Sequence, residues 1–378
     1  MIDPFQTIKR RLIGLLHFPI VSFVVLFLPA SIAVVQANAL ADFLYGSIQL
    51  FLSQFLVKID TFPEPLSAVL GGSYGVIAML PFLLLYALPT ILIFTALIAF
   101  YKHSGLISHV SYGLHRFLKY FGLQGQDLVR VIMGYGCNVP AVIATRSCSS
   151  QSRCSCVSAI GIASICSYQM SSSLAIFAAT GFTLLAPIYV ALVGISSLIY
   201  LRLIRPKSYQ LSISKTEAPK PELLKVPRLE TLISETSHTL KEFLLMALPI
   251  FIAICIISGL LEYFGILSVL SQLLSPLMTV FNLPPEAALS IVLGSIRKDG
   301  IAVGLLDTDL NSLKILLETP VQLLTVVYLA GVLLPCIVTL LTVIKEMRLR
   351  FALKMVTQQA CFVVVSSLVI AWAGALII

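Results

Sequence analysis

Gly134-Tyr135-Gly136-Cys137-Asn138-Val139-Pro140-Ala141 breaks an apolar stretch of the chain with two glycines, a thiol, an amide and a proline. Pro140 has no N–H to offer the carbonyl of Gly136, so a helix running through this segment leaves that carbonyl free. Free carbonyls, a thiol and an amide converging at membrane depth are what a desolvated cation needs in place of water. A kinked packing helix with a buried cysteine as small apolar filler accounts for the same residues. Both readings stand at this point.

The surroundings are those of a membrane protein. Apolar residues make up 58% of the 378 residues and charged ones 11%, with a mean hydropathy of +1.00; a soluble domain carries about a quarter charged residues. Residues 13–35, 76–101, 155–178, 182–204, 243–261, 321–345 and 355–378 form apolar runs close to the length that crosses a hydrocarbon core of roughly 30 Å. The expected fold is therefore all-α and polytopic, with about seven transmembrane helices, because backbone groups in lipid must be satisfied within their own segment. Residues 13–35 exceed the apolar core of a signal peptide and are expected to remain as an anchor. The formal charge of +8 sits in short runs flanking apolar segments, which is a topology signal and excludes a nucleic-acid reading.

Those runs orient the chain in the bilayer. Lys9, Arg10 and Arg11 place the N-terminus in the cytoplasm. Lys102, Arg116 and Lys119 mark a second inside segment, Arg205 to Arg228 a third, and Lys345, Arg348, Arg350 and Lys354 a fourth. Residues 262–286 contain no Lys or Arg and face outward. One topology satisfies all of these if residues 127–146 and 287–306 enter the membrane without crossing it. The proline- and charge-rich stretch 206–231 is a cytoplasmic linker between a first membrane half, 1–205, and a second, 232–378.

The halves resemble each other. With a shift of 160 residues, Leu88-Pro89 falls on Leu248-Pro249, Gly105 on Gly265, Ser108 on Ser268, Phe121 on Phe281, and Gly134 on Gly294. Paired Gly and Pro fix backbone turns, so they carry more weight than paired leucines. In the topology above the repeat is inverted, an arrangement that places a substrate site near the midplane between interrupted helices.

The second interruption reads Gly294-Ser295-Ile296-Arg297-Lys298-Asp299-Gly300. Three consecutive ionisable residues between apolar runs are costly in a membrane and mark function, unless the segment is an interfacial loop in water. Pro335-Cys336 lies inside the run 321–345, where the proline frees the carbonyl of Gly331. Cys166 occupies a comparable place after the first interruption, and both cysteines also suit an ordinary core.

Gly136-Cys137-Asn138-Val139-Pro140-Ala141, followed by Ala144-Thr145-Arg146, resembles the first gate motif of the ferrous iron transport protein B family. The segment around Cys166, the Gly294 to Lys298-Asp299 segment, and Pro335-Cys336 with Lys345-Glu346 resemble that family's later motifs in order. The resemblance implies an inner-membrane permease for Fe²⁺. Cys137, Asn138, Cys166 and Cys336 then offer metal ligands, while Gly134, Gly136, Pro140, Gly294, Lys298, Asp299 and Pro335 shape the gate and path. Fe²⁺ is the transported ion, with no permanently bound cofactor; thiolate with carbonyl and amide oxygen is acceptable to its borderline softness.

The chain also departs from that family. No Gly-x-x-x-x-Gly-Lys-Ser/Thr phosphate loop occurs, so nucleotide control is expected from a separate GTP-binding protein or small regulatory subunit. Lys102-His103 stands where the family tends to carry acidic residues, and Cys148, Cys154 and Cys156 fill the stretch after Arg146. Their C-x₅-C-x-C pattern is either a soft-metal site or a plain Cys/Ser loop. His103, His109 and His115 are spread around a helix by their six-residue spacing and are expected at the interface. Rival classes are a gate-type transporter of another solute, a nucleoside or another metal, and a non-transporting assembly or redox protein. The lipid bilayer is the certain partner, a second copy of the chain a further one. No catalytic Ser/His/Asp signature, HExxH or CxxC appears, so no enzyme is expected.

Overall fold

The computed structural model describes most residues between 52 and 375 and scattered positions from 14 to 51. Residues 1–13, 205–223, 306–316 and 376–378 lie outside the described set, as do single positions that include Arg297 and Asp299. The first expected span, 13–35, therefore falls largely outside it. Every regular element among the described residues is helical. Two short helices, α1 (Glu64–Gly71) and α2 (Val76–Phe82), precede two series of helices that follow the same plan.

The first series opens with α3 (Leu88–His103). Gly105, at φ 77°, turns the chain into the amphipathic α4 (Leu106–Lys119). That helix closes at Gly122, with φ 80°, where the Leu123 N–H returns to the Leu118 carbonyl at 3.1 Å. The second series has α10 (Leu229–Tyr263), Gly265 at φ 67° and α11 (Ile266–Met278). Its closing residue is Asn282, at φ 54°, and the Leu283 N–H returns to the Met278 carbonyl at 3.0 Å. Each member stands at the 160-residue shift from its counterpart. Asparagine is among the few residues other than glycine that tolerate the left-handed region, so the turn survives the change from Gly122 to Asn282.

Both series continue into a helical hairpin. In the first, α5 (Gly125–Gly136) and α6 (Asn138–Ala144) fold back on each other. Arg130 on α5 reaches the end of α6, donating from Nε to the Ala144 carbonyl at 3.2 Å and from Nη2 to Ser147 Oγ at 2.8 Å. In the second, α12 (Ala287–Ile296) and α13 (Gly300–Leu305) pack so closely that a Cβ on Gly304 would stand 2.6 Å from Ser290 Cα. The two segments read from sequence as entering the membrane without crossing are these hairpins.

Each hairpin is followed by a broken helix and a long one. The first series supplies α7 (Arg153–Ala163), α8 (Ser167–Ala179) and α9 (Leu185–Ile204). The second supplies α14 (Pro320–Val332), α15 (Ile337–Met347) and α16 (Leu349–Ala375). Among the described residues three spans are long and apolar enough to cross a membrane: Leu185–Ile204, Pro320–Met347 and Leu349–Gly374. The pair Phe251–Tyr263 and Ile266–Phe281, bent by 76°, makes a fourth if it is one span.

Among the described residues the expected count of seven is thus not met. Run 155–178 is divided at Cys166 into α7 and α8, while residues 83, 86 and 87 of run 76–101 lie outside the described set. With 16 residues, α3 extends only about 24 Å at 1.5 Å per residue. Run 243–261 is the later part of the 35-residue α10, which begins at Leu229 inside the stretch read as linker.

One apolar core joins the two series, with Tyr189, Tyr200, Tyr328 and Phe177 among its fully buried side chains. Phenol oxygens in such a core need partners, and Tyr328 Oη lies 3.0 Å from Ser366 Oγ.

Two polar ties bind the series at their ends. Glu346, at the end of α15, accepts from Arg146 Nε at 2.9 Å and from Arg153 Nη2 at 3.2 Å, across about 200 residues of chain. Glu235 on α10 takes Lys102 Nζ and His103 Nε2, each at 2.6 Å. The basic pair that departs from the iron-transport pattern thus meets an acid from the other half. Partial burial raises the Glu235 carboxyl, but hydrogen bonds and charge from Lys102 and His103 outweigh it and hold it below the ordinary 4.5. A depressed carboxylate contributes stability above its unfolded value and loses it as pH falls through its folded value. Thermal unfolding followed from pH 7 to 3 should show a midpoint decline below about pH 4.5, and Glu235→Gln should lessen that decline.

Candidate functional site

Four breaks in four helices converge. Cys137 alone separates α5 from α6 in an extended conformation (φ −154°, ψ 134°). Cys166, buried, lies in the break between α7 and α8. Cys336, in the break between α14 and α15, has its sulfur 3.0 Å from Thr339 Oγ1. Lys298, buried, lies in the break between α12 and α13. Cys137 lies near enough to Cys166 and Cys336, and Lys298 to the same two cysteines, for a charge on one to be felt by the others. Residues far apart in sequence thus meet where regular helix stops, the place in a membrane fold where backbone oxygen atoms become available.

The backbone supports this meeting in ways visible residue by residue. Pro140 is the third residue of α6, in the first turn, where no N–H donor is required. It offers nothing to Gly136, as its position in sequence implies. The carbonyl of Gly331, expected to be freed by Pro335, accepts from Lys298 Nζ at 2.6 Å, and the Leu334 carbonyl accepts from the same ammonium. Gly294 lets α12 close on its neighbours, since a Cβ there would stand 2.7 Å from Ile301 Cγ1 and 3.1 Å from the Ala330 carbonyl oxygen. Gly134 is buried in α5. Asp299 lies outside the described residues.

Asn138 opens α6 beside Cys137, only 5% exposed, and its Oδ1 is buried with no hydrogen-bond partner. A buried amide oxygen without a donor costs about 1–3 kcal/mol. A cation held beside Cys137 would satisfy it. Thiols suit such a site because they are neutral while it is empty and shed a proton to a metal when it is filled.

Other side chains at the site left only a faint signal in sequence, as single polar residues within apolar runs. Gln169 on α8 donates to Tyr189 Oη at 2.6 Å, and both press on Gly331, where a Cβ would stand 2.5 Å from Gln169 Nε2. Gln359 on α16 donates to the Val332 carbonyl at 2.8 Å and to the Gly161 carbonyl at 3.2 Å, tying α14 to α7. His109 and His115 are corrected by the structure: both are buried, because the face of α4 that carries them lies against the core. Of the three loop cysteines, Cys154 is exposed while Cys156 is buried, so they do not act as one triad.

Two stretches of the chain, 84–196 and 244–350, match the family model described as Gate: Nucleoside recognition. The chain belongs to the Gate family. The two matched stretches begin at the same 160-residue shift that relates Gly105 to Gly265, so each series of helices is one Gate unit. The Fe(2+) transporter FeoB of Methanocaldococcus jannaschii is 25% identical over 372 residues, covering 90% of this chain and 54% of that protein. The Gate chain spans about half the length of that relative. The FeoB of Campylobacter jejuni is 40% identical over 73 residues, 19% of this chain and 12% of that protein. The Fe(2+) transport protein A/FeoB fusion protein of Porphyromonas gingivalis is 36% identical over 83 residues, 22% and 9% respectively. No solved structure matches. The resemblance read from the gate motifs therefore holds for the membrane part that the Gate units form.

Proposed function

We propose that this Gate protein is a permease for a divalent metal cation, Fe²⁺ first, which passes the thiols of Cys137, Cys166 and Cys336. The observation that carries the reading is the convergence of three cysteines from three separate helix breaks, with the unpartnered Oδ1 of Asn138 beside one of them. A soft or borderline cation gains from such ligands, whereas Mg²⁺ or Ca²⁺ prefers oxygen alone. The names of the relatives point to the same ion. The reading includes an inner-membrane location, a cytoplasmic N-terminus and an inverted arrangement of the two units, all resting on the basic residues that flank the apolar runs. A separate GTP-binding protein or small regulatory subunit, and a second copy of the chain, are the partners it implies.

Uptake of radioactive Fe²⁺ into proteoliposomes tests it. Cys137→Ser and Cys336→Ser should each cut initial uptake at least tenfold while leaving insertion and thermal stability near normal. Undiminished uptake in both variants would make these cysteines packing residues and sink the thiol path. The family description favours a second reading, a nucleoside as solute. Uptake of labelled nucleosides by the intact protein, indifferent to both substitutions, would select it, because a nucleoside has no use for thiolates.

A further inference from the structure

A second set of ligand-type side chains meets at the far end of the first hairpin from Cys137. Asp127 stands in the first turn of α5, Cys148 in the loop after the hairpin, and Cys156 in the first turns of α7. Their ligand atoms all lie within 4.8 Å of one another. Asp127 and Cys156 are buried and Cys148 is half-buried. Nine residues of helix separate Asp127 from Gly136, so this cluster is roughly 14 Å along α5 from the Cys137 break.

We propose that Asp127, Cys148 and Cys156 form a binding site for a soft divalent metal ion, distinct from the thiols at the helix breaks. Tetrahedral coordination with metal–sulfur bonds of about 2.3 Å and metal–oxygen bonds of about 2.0 Å needs ligand atoms roughly 3.5–3.8 Å apart. The cluster reaches that spacing with small side-chain adjustments. Cys156 is held in place, its thiol donating to the Asp127 carbonyl at 3.7 Å, and its sulfur also meets that of Cys148. Asp127 is fixed as well: Oδ2 accepts from the Gln124 N–H at 2.9 Å and Oδ1 from Arg130 Nη1 at 3.4 Å. Each carboxylate oxygen keeps a lone pair for a metal.

Charge selects the ion. Empty, the site holds two neutral thiols and the Asp127–Arg130 pair, with no net charge. Binding M²⁺ displaces one proton from each thiol, forms two metal–sulfur bonds and one to Asp127, and leaves the filled site neutral again. A trivalent ion would leave an uncompensated positive charge among buried side chains, which is costly, while a monovalent ion is balanced by one thiolate and gains one metal–sulfur bond fewer. The half-buried Cys148 is the side from which the ion enters. Of the three cysteines in the Cys148, Cys154, Cys156 pattern, Cys154 is exposed and stands apart, and the acid from α5 joins the other two.

The test is titration of the reduced full chain in detergent micelles with Co²⁺, whose thiolate charge-transfer and tetrahedral ligand-field bands report the ligands. One equivalent should produce both bands, and excess Zn²⁺ should abolish them. Cys148→Ser should lose the charge-transfer intensity by about half or more, and Cys156→Ser likewise. The Cys137→Ser/Cys336→Ser double variant and Cys154→Ser should retain the bands. Bands that survive Cys148→Ser and Cys156→Ser, bands absent from the double variant, or no bands at all would overturn the site. Recovery of a Cys148–Cys156 disulfide from reduced protein exposed to air, with no Co²⁺ spectrum before oxidation, would overturn it in favour of a dithiol pair.

Discussion

In the permease proposed above, Lys298→Met should abolish Fe²⁺ uptake and lower folding stability by about 2–4 kcal/mol, the scale of two charge-assisted hydrogen bonds lost at buried carbonyls. The Lys298 ammonium fastens the tip of the second hairpin to the carbonyls of Gly331 and Leu334 at the break between α14 and α15. Methionine fills the same volume without a donor, so both carbonyls are left to face apolar surroundings. The tip then loses its described polar tie to the break that carries Cys336. Lys298→Arg separates charge from shape: the charge returns, but a planar fork suits two converging carbonyls less well than a compact ammonium. Partial recovery of stability with the arginine is expected. Thermal unfolding in micelles and uptake in proteoliposomes read the two effects separately, and wild-type values for Lys298→Met in both would show the lysine to be a bystander.

Gly125→Ala should be strongly damaging for a single added methyl group, at about 3 kcal/mol or more, the upper range of overpacking. A Cβ on Gly125 would stand 2.0 Å from the Ser111 carbonyl oxygen and 2.6 Å from Ser111 Cα. These are backbone atoms of α4 and cannot swing aside as a side chain could. The start of α5 would have to retreat from α4, carrying with it Asp127 and the whole first hairpin. Loss of monodisperse protein on size exclusion, or a large drop in the thermal midpoint, is the expected readout. Gly194→Ala serves as the control, because a methyl group there, on α9, would meet nothing within 4 Å. Equal behaviour of the two variants would mean that α4 and α5 are not in such close contact.

What was legible in the sequence came through residues that dictate backbone. Gly105 and Gly265 carried the repeat, and both adopt the left-handed turn that their pairing implied. Pro140 and Pro335 marked two of the breaks, and the freed carbonyl of Gly331 was visible before its partner, Lys298, was known to be near. The break at Cys166 was illegible because Ser164-Ile165-Cys166-Ser167 contains neither glycine nor proline. Hydropathy registers apolar length and is blind to such interruptions, so run 155–178 read as one unbroken helix. The burial of His109 and His115 was not visible because a spacing that spreads them around α4 says nothing about what packs against it. Asp127 escaped notice as a ligand because its companions arrive from a loop and a helix further along the chain.

The clasp of Arg146 and Arg153 on Glu346 joins the end of the first hairpin to the end of α15. The helices it links, α6 and α15, begin at Cys137 and Cys336. A rod pinned to another at one end carries its opposite end along when it tilts. Two of the three thiols thus head helices whose other ends share one salt bridge, and through Arg153 the same clasp holds the start of α7, which runs to the break at Cys166. In the permease proposed above, a signal that reaches Glu346 would bear on all three thiol-bearing breaks at once.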